Sequence, residues 1–184
     1  MELIVLTGGP CSGKSSLIST FEKRGFPVVR EVARDILAKR GKRPVTREEL
    51  FALQYEIGER QMLEEEKARI KYSEKETVFL DRGLPDLLAY YHILLNFVHL
   101  QVDDRMKNRY KKVFFLDRLP FVNDGLRSED DNKANDLHNS LSRHYKLAGY
   151  SPIRVPALPI NERADFVLSH VNRMKGGKMK HAVI

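Results

Sequence analysis

Two scarcities narrow the possibilities before any motif is read. Cysteine occurs once, as Cys11, so the chain can close no internal disulfide and build no cysteine-based zinc site. That usage suits a reducing compartment and leads us to expect a cytoplasmic protein. Long apolar runs are also missing. The most apolar long segment, Leu84 to Leu100, is interrupted by Pro85, Asp86, His92, Asn96 and His99, and is shorter than a membrane span requires. The apolar run behind Met1 is too short for a signal core and stops at Gly8-Gly9, so neither signal peptide nor membrane anchor is expected. With no internal repeat and no low-complexity linker, the sequence reads as one domain over residues 1–175, with a loose tail at 176–184.

What the sequence does contain is charge and alternation. Its 184 residues suffice for one sizeable core. A formal charge of +7 attracts anions without distinguishing nucleotide, nucleic acid or acidic lipid. Short β-rich runs at Glu2–Thr7, Pro27–Arg30, Thr77–Asp81, Lys112–Asp117 and Ile153–Val155 alternate with helical patterns. This alternation predicts an α/β fold: five parallel strands with helices on both faces. Helices are expected at Lys14–Arg24, stopped by Gly25, and at Val32–Arg40, stopped by Gly41. A long one is opened by a Thr46/Glu49 capping box and runs to about Lys71. The "EEEKARIK" end of that helix is read as a solvated face. Further helices are expected at Leu84–Leu100, from about Lys133 to Leu147, and from Glu162, capped by Asn161, to about Met174.

The most specific signal is Gly8-Gly9-Pro10-Cys11-Ser12-Gly13-Lys14-Ser15, a match to G-x-x-x-x-G-K-[ST] with a strand before it and a helix after it. Glycines let the backbone wrap phosphates with its N–H groups turned inward, and the helix N-terminus adds partial positive charge. Lys14 reaches the outer phosphate oxygens, Ser15 places its hydroxyl on Mg²⁺, and Ser16 continues the binding turn. Cys11 is read as a spacer.

Such a loop needs a carboxylate at the end of a neighbouring apolar strand. Asp81 and Asp117 both end such runs and both precede an arginine, so pattern alone does not choose between them. Glu31 closes the second strand and can serve as proton acceptor in the shared crevice, or simply pair with Arg34. Arg127, in the polar stretch "NDGLRSEDD", is the candidate mobile arginine for the transferred phosphoryl group, with Arg143 behind it. The basic run "KRGKRP" lacks interleaved aromatics and reads as a solvated turn; binding to nucleic acid is not expected.

Taken together, "LTGGPCSGKSSLI", "VVREVAR", "VFLDRGLPDLLAYY", "KKVFFLD" and "NDGLRSED", with "LHNSLSRHYKLAGY" and "PIRVPAL", resemble a family of small P-loop ATPase domains. That family is grouped with the ribosylnicotinamide-kinase domain of NadR and with a photoreceptor-trafficking GTP-binding protein. The resemblance covers nearly the whole chain. It implies a nucleotide-kinase-like sheet with the Asp81 strand beside the phosphate-loop strand, which makes Asp81 the magnesium-side carboxylate. It also implies that Glu31 faces the phosphoryl acceptor, that Arg82 lies near the phosphates, and that residues 123–147 form a lid.

The expected activity is Mg²⁺-dependent transfer of the ATP γ-phosphoryl to a small hydroxyl acceptor such as a nucleoside, or ATP hydrolysis. The alternative is a nucleotide-controlled protein contacting a partner or acidic lipid. No N-K-x-D guanine signature follows the fourth strand, which favours ATP while leaving GTP possible.

Overall fold

The computed structural model describes residues 1–74, 76–97, 102–119 and 131–172. Strands β1 (Glu2–Thr7), β2 (Val28–Val29), β3 (Thr77–Asp81), β4 (Lys112–Leu116) and β5 (Ile153–Val155) form one sheet, in the order β2-β3-β1-β4-β5. Every pairing is parallel. The helices are α1 (Lys14–Lys23), α2 (Val32–Arg40), α3 (Arg47–Lys71), α4 (Leu84–Leu95), α5 (Asp131–Leu147) and α6 (Ile160–Asn172), with a short 3₁₀ turn at Asp104–Met106.

Strand alternation sorts the core into two layers. In β1, Ile4 and Leu6 join Leu17, Ile18 and Phe21 of α1 and Val167 of α6. Leu3 and Val5 point the other way, toward Ala68 of α3 and Tyr145 of α5. Both faces of β1 and β3 are therefore covered, which explains why their sequences run apolar without a polar alternate. Phe79 of β3 stacks on Phe21 with ring centroids 3.9 Å apart, and burying a ring of that size contributes about 2–3 kcal/mol.

Helix ends follow local chemistry. The capping box that opens α3 is formed: Glu49 N–H donates to Thr46 Oγ1 at 3.1 Å, and Thr46 N–H to the Glu49 carboxylate at 3.3 Å. Helix α4 stops at Leu95 rather than Leu100, because Asn96 takes a left-handed conformation with φ 53°. Helix α6 begins at Ile160, so Asn161 lies inside it rather than capping it. The end of α3 corrects one expectation. Glu65, in the stretch read as solvated, is fully buried and accepts hydrogen bonds from Arg109, Tyr110 and Gln61. Of the segment expected as a lid, the described part is α5, whose Leu141 and Tyr145 are fully buried. The expected tail lies outside the described residues.

Candidate active site

Parallel register brings the carboxyl ends of the central strands to one edge, because Leu6 of β1 pairs with Asp81 of β3 and Val29 of β2 pairs with Leu80. The loop from Gly8 to Gly13 leaves β1 at that edge. Gly8 and Gly13 carry φ values of 145° and 79°, the conformations for which glycine is needed. Gly9 is needed for a different reason: a Cβ there would come within 3.0 Å of His138 Cβ on α5. Pro10, Cys11 and Ser16 are exposed, whereas Ser12 and Lys14 are buried. Cys11 itself has a left-handed φ of 58°.

The Lys14 ammonium lies inside the loop, donating to Gly8 O at 2.8 Å, Gly9 O at 2.9 Å and Ser12 Oγ at 3.2 Å. Burial, followed by the charge of Arg82, lowers its pKa to about 8. Ser15 Oγ donates to Asp81 Oδ2 at 3.0 Å, across 66 residues of sequence. The other oxygen, Asp81 Oδ1, is buried and has no hydrogen-bond partner among the described residues. Burial and then the Glu31 charge raise the Asp81 pKa, against the opposing pull of Lys14 and Arg82.

Adjacent in sequence, Asp81 and Arg82 serve different partners. Arg82, at φ 78°, turns away and donates to Glu31 Oε1 at 2.9 Å and to Asp86 Oδ1 at 3.0 Å. Its guanidinium also lies 5.3 Å from the Tyr90 ring centroid. Asp86 is a buried hub that additionally accepts from Thr7 Oγ1 at 3.0 Å, Gly83 N–H at 3.2 Å and the Tyr145 hydroxyl at 2.5 Å. Gly83 permits this crowding, since a Cβ would meet Tyr145 and Tyr110 within 3.0 Å. Burial alone would raise the Glu31 pKa, but the charge and hydrogen bond of Arg82, with Lys14 and Arg34, hold it below the ordinary value.

Beyond the Glu31–Arg82 pair opens a cavity of about 340 Å³. Leu50, Leu53 and Ile57 of α3 and Leu87 of α4 supply its apolar walls, while Glu31, Arg82, Tyr90 and Gln54 supply polar groups. Gln54 is only 5% exposed, yet its amide forms no hydrogen bond among the described residues. The sequence reading missed Gln54, Asp86 and Tyr90. The period of α3 and α4 marked their apolar faces, but a polar residue on a buried face carries no sign of what it points at.

The remaining candidates fall elsewhere. Asp117 is held by Arg154, whose Nε donates to both carboxylate oxygens at 2.8 and 2.9 Å. Arg143 is exposed on α5 and does not line the cavity. Arg127 lies outside the described residues. Arg34 does contact Glu31, at 3.4 Å, and also reaches Ser15 Oγ at 3.3 Å. The basic run is partly neutralised: Arg40 pairs with Glu56, Lys42 lies 3.7 Å from Glu49, and Arg43 lines the cavity.

Another buried cation stands behind the loop. Arg163 of α6 is 1% exposed and donates to three carbonyls: Ser12 at 2.6 Å, Asp117 at 2.8 Å and Pro156 at 2.9 Å.

A family model described as an AAA domain matches residues 3–163. The chain belongs to this AAA-domain family. No curated protein matches this AAA-domain chain. Among solved structures, deoxyadenosine kinase from M. mycoides with bound dATP superposes with a TM-score of 0.65 at 18% identity, over 94% of this chain and all of that one. NadR in complex with NR superposes at 0.61 with 13% identity. That match takes in 99% of this chain and 53% of NadR, so the AAA-domain chain spans about half of the NadR length. Thymidylate kinase from Candida albicans superposes at 0.60 with 12% identity, over 100% and 96% of the two chains. The AAA-domain chain thus has the P-loop fold of nucleotide kinases. No helix among the described residues is long and apolar enough to cross a membrane.

Proposed function

We propose that the protein is a phosphotransferase that moves the γ-phosphoryl group of ATP to a hydroxyl of a small acceptor of the nucleoside type. The observation that carries this reading is the position of the Glu31–Arg82 pair, between the phosphate loop and the apolar cavity. The loop amides and Lys14 bind the phosphates, and the cavity holds the acceptor with its hydroxyl toward Glu31. As the acceptor oxygen bonds to the γ-phosphorus, the bond to the β–γ bridging oxygen breaks, ADP departs, and the hydroxyl proton passes to Glu31. The low Glu31 pKa keeps that carboxylate ionised at neutral pH, with Arg82 fixing its direction. Lys14, Arg82 and Arg127 offset the charge spread over the transferred group.

Among the described residues Asp81 Oδ1 is a buried carboxylate oxygen without a hydrogen-bond partner, and Oδ2 already meets the Ser15 hydroxyl, a donor set of hard oxygens that suits Mg²⁺. Ser15 and Asp81 would hold the ion, which would neutralise phosphate charge. Gln54 presents both an amide donor and an amide acceptor to the cavity, matching a planar heterocycle with adjacent donor and acceptor on its edge.

The test is a panel of nucleosides incubated with γ-labelled ATP. Label should appear on one or more nucleosides, and Gln54→Leu should raise the acceptor KM with little change in the ATP KM. Tight ATP binding without any labelled acceptor would remove the kinase reading.

A further inference from the structure

The contact between Gly9 and His138 joins groups 129 residues apart: Gly9 N–H donates to His138 Nδ1 at 3.0 Å. The imidazole must therefore carry a lone pair, not a proton, at Nδ1. The ring is fixed on its other side by Phe115 of β4, with centroids 4.4 Å apart. Helix α5 presses directly on the loop here, since the space that a Gly9 Cβ would need is occupied by His138 and by the carbonyl of Ala134. Gly9 sits among the residues whose backbone shape decides how the loop presents its amides.

We propose that His138 is a positioning residue that latches α5 onto the phosphate-binding loop through the Gly9 amide, so that the loop keeps its nucleotide-binding shape only while Nδ1 is unprotonated. The proposal rests on the reading of Gly8–Ser15 as a nucleotide site. The surroundings favour the neutral ring. Burial lowers the His138 pKa first; the Asp117 charge opposes it, and Arg118, Lys14 of α1 and Arg154 of β5 push in the same direction as burial. Protonation at acid pH replaces the acceptor lone pair with a donor facing the Gly9 donor, and the latch opens. The Gly9 stretch of the loop then loses its fixed contact to α5, while Lys14, Ser15 and Asp81 keep theirs.

Two measurements test this. In the ligand-free protein, the Gly9 amide resonance in a ¹⁵N correlation spectrum should titrate with a midpoint below the ordinary histidine range, about 6.5. That titration should vanish in His138→Phe, which keeps a ring against Phe115 but has no acceptor. ATP affinity, measured from pH 5.5 to 8, should weaken in the wild type on acidification by roughly threefold to tenfold, the equivalent of one hydrogen bond. His138→Phe should show the weak affinity at every pH, and His138→Asn, whose side-chain carbonyl can accept, should restore binding and remove the acid step. A Gly9 resonance indifferent to pH, or a His138→Phe protein with wild-type affinity and pH profile, overturns the proposal. If the Gly9 resonance titrates as expected while ATP fails to bind at any pH, the latch stands and the nucleotide reading falls.

Discussion

Lys14 shows how burial sets the chemistry of a single side chain. Its ammonium is held by two carbonyls and a hydroxyl, with no carboxylate among its hydrogen-bond partners in the described residues. Burial, and then the charge of Arg82, depress its pKa from 10.5 to about 8, against the opposing pull of Asp81, Asp86 and Glu31. A depressed lysine pKa means that the charged form opposes folding. The penalty is present in full below pH 8 and fades as the pH climbs to 10.5, so this group makes stability rise across that window. Bound phosphates reverse the balance by restoring the proton. Nucleotide binding above pH 8 should accordingly take up protons, and affinity should fall as the pH rises through 8. Calorimetry in buffers of different ionisation enthalpy reads the uptake directly; no uptake in that range would contradict the environment described for Lys14. The neighbouring carboxylate has a sharper test. Asp81→Asn keeps the volume and an oxygen for Ser15 but loses the anion, so Mg²⁺-dependent turnover should drop at least about a hundredfold, on the scale of losing a positioned charge at a phosphoryl site. Its melting temperature should stay close to that of the wild type. Unchanged turnover would return Asp81 to a purely structural role.

At the scale of elements, the site is an edge of the sheet braced from behind. The start of α1, the end of β3 and the cap of α2 place Lys14, Asp81 and Glu31, whereas α6 reaches across with Arg163 to tie the loop to the ends of β4 and β5. Three carbonyls satisfy a guanidinium with its fork of donors, a geometry that the three short donors of a lysine ammonium cannot span. Arg163→Met fills much of the volume but leaves those carbonyls without their donor. We expect a loss of about 2–4 kcal/mol in urea unfolding. Arg163→Lys should recover less than half of it. A variant as stable as the wild type would show that the carbonyls find other donors. The helices also explain what was readable locally. The capping box at Thr46 and Glu49, the glycine stops after α1 and α2, and the apolar faces of α3 depend on neighbours a few residues away. The early stop of α4 and the buried Glu65 were not readable, because each answers to a partner from a distant element or to the backbone at one position.

For the whole molecule, the parallel sheet makes a crevice with the phosphate loop on one side and the 340 Å³ cavity on the other. If both are filled by substrates, occupancy of either adds to global stability by mass action. ATP with Mg²⁺ at about a hundred times its dissociation constant should contribute about 2.7 kcal/mol. It should raise the melting temperature of the wild type and leave that of Lys14→Ala unmoved. Equal shifts in both proteins would place nucleotide binding elsewhere.

The amino-acid sequence by itself determined the alternation of strand and helix, the phosphate loop, and the strand-end position of Asp81. These follow from periodicity and turn chemistry, which act within one element or across one turn. Only the tertiary structure decided that Asp81 and Arg82, side by side in the chain, part company: Asp81 toward Ser15, Arg82 toward Glu31 and Asp86. Only it decided that Gln54 would face a cavity, and that His138 and Arg163 would reach the loop from 129 and 151 residues away. The reason is physical. A polar side chain on a buried face takes whatever partner the packing of other elements presents, and sheet order and helix docking set that partner across separations that no local pattern spans.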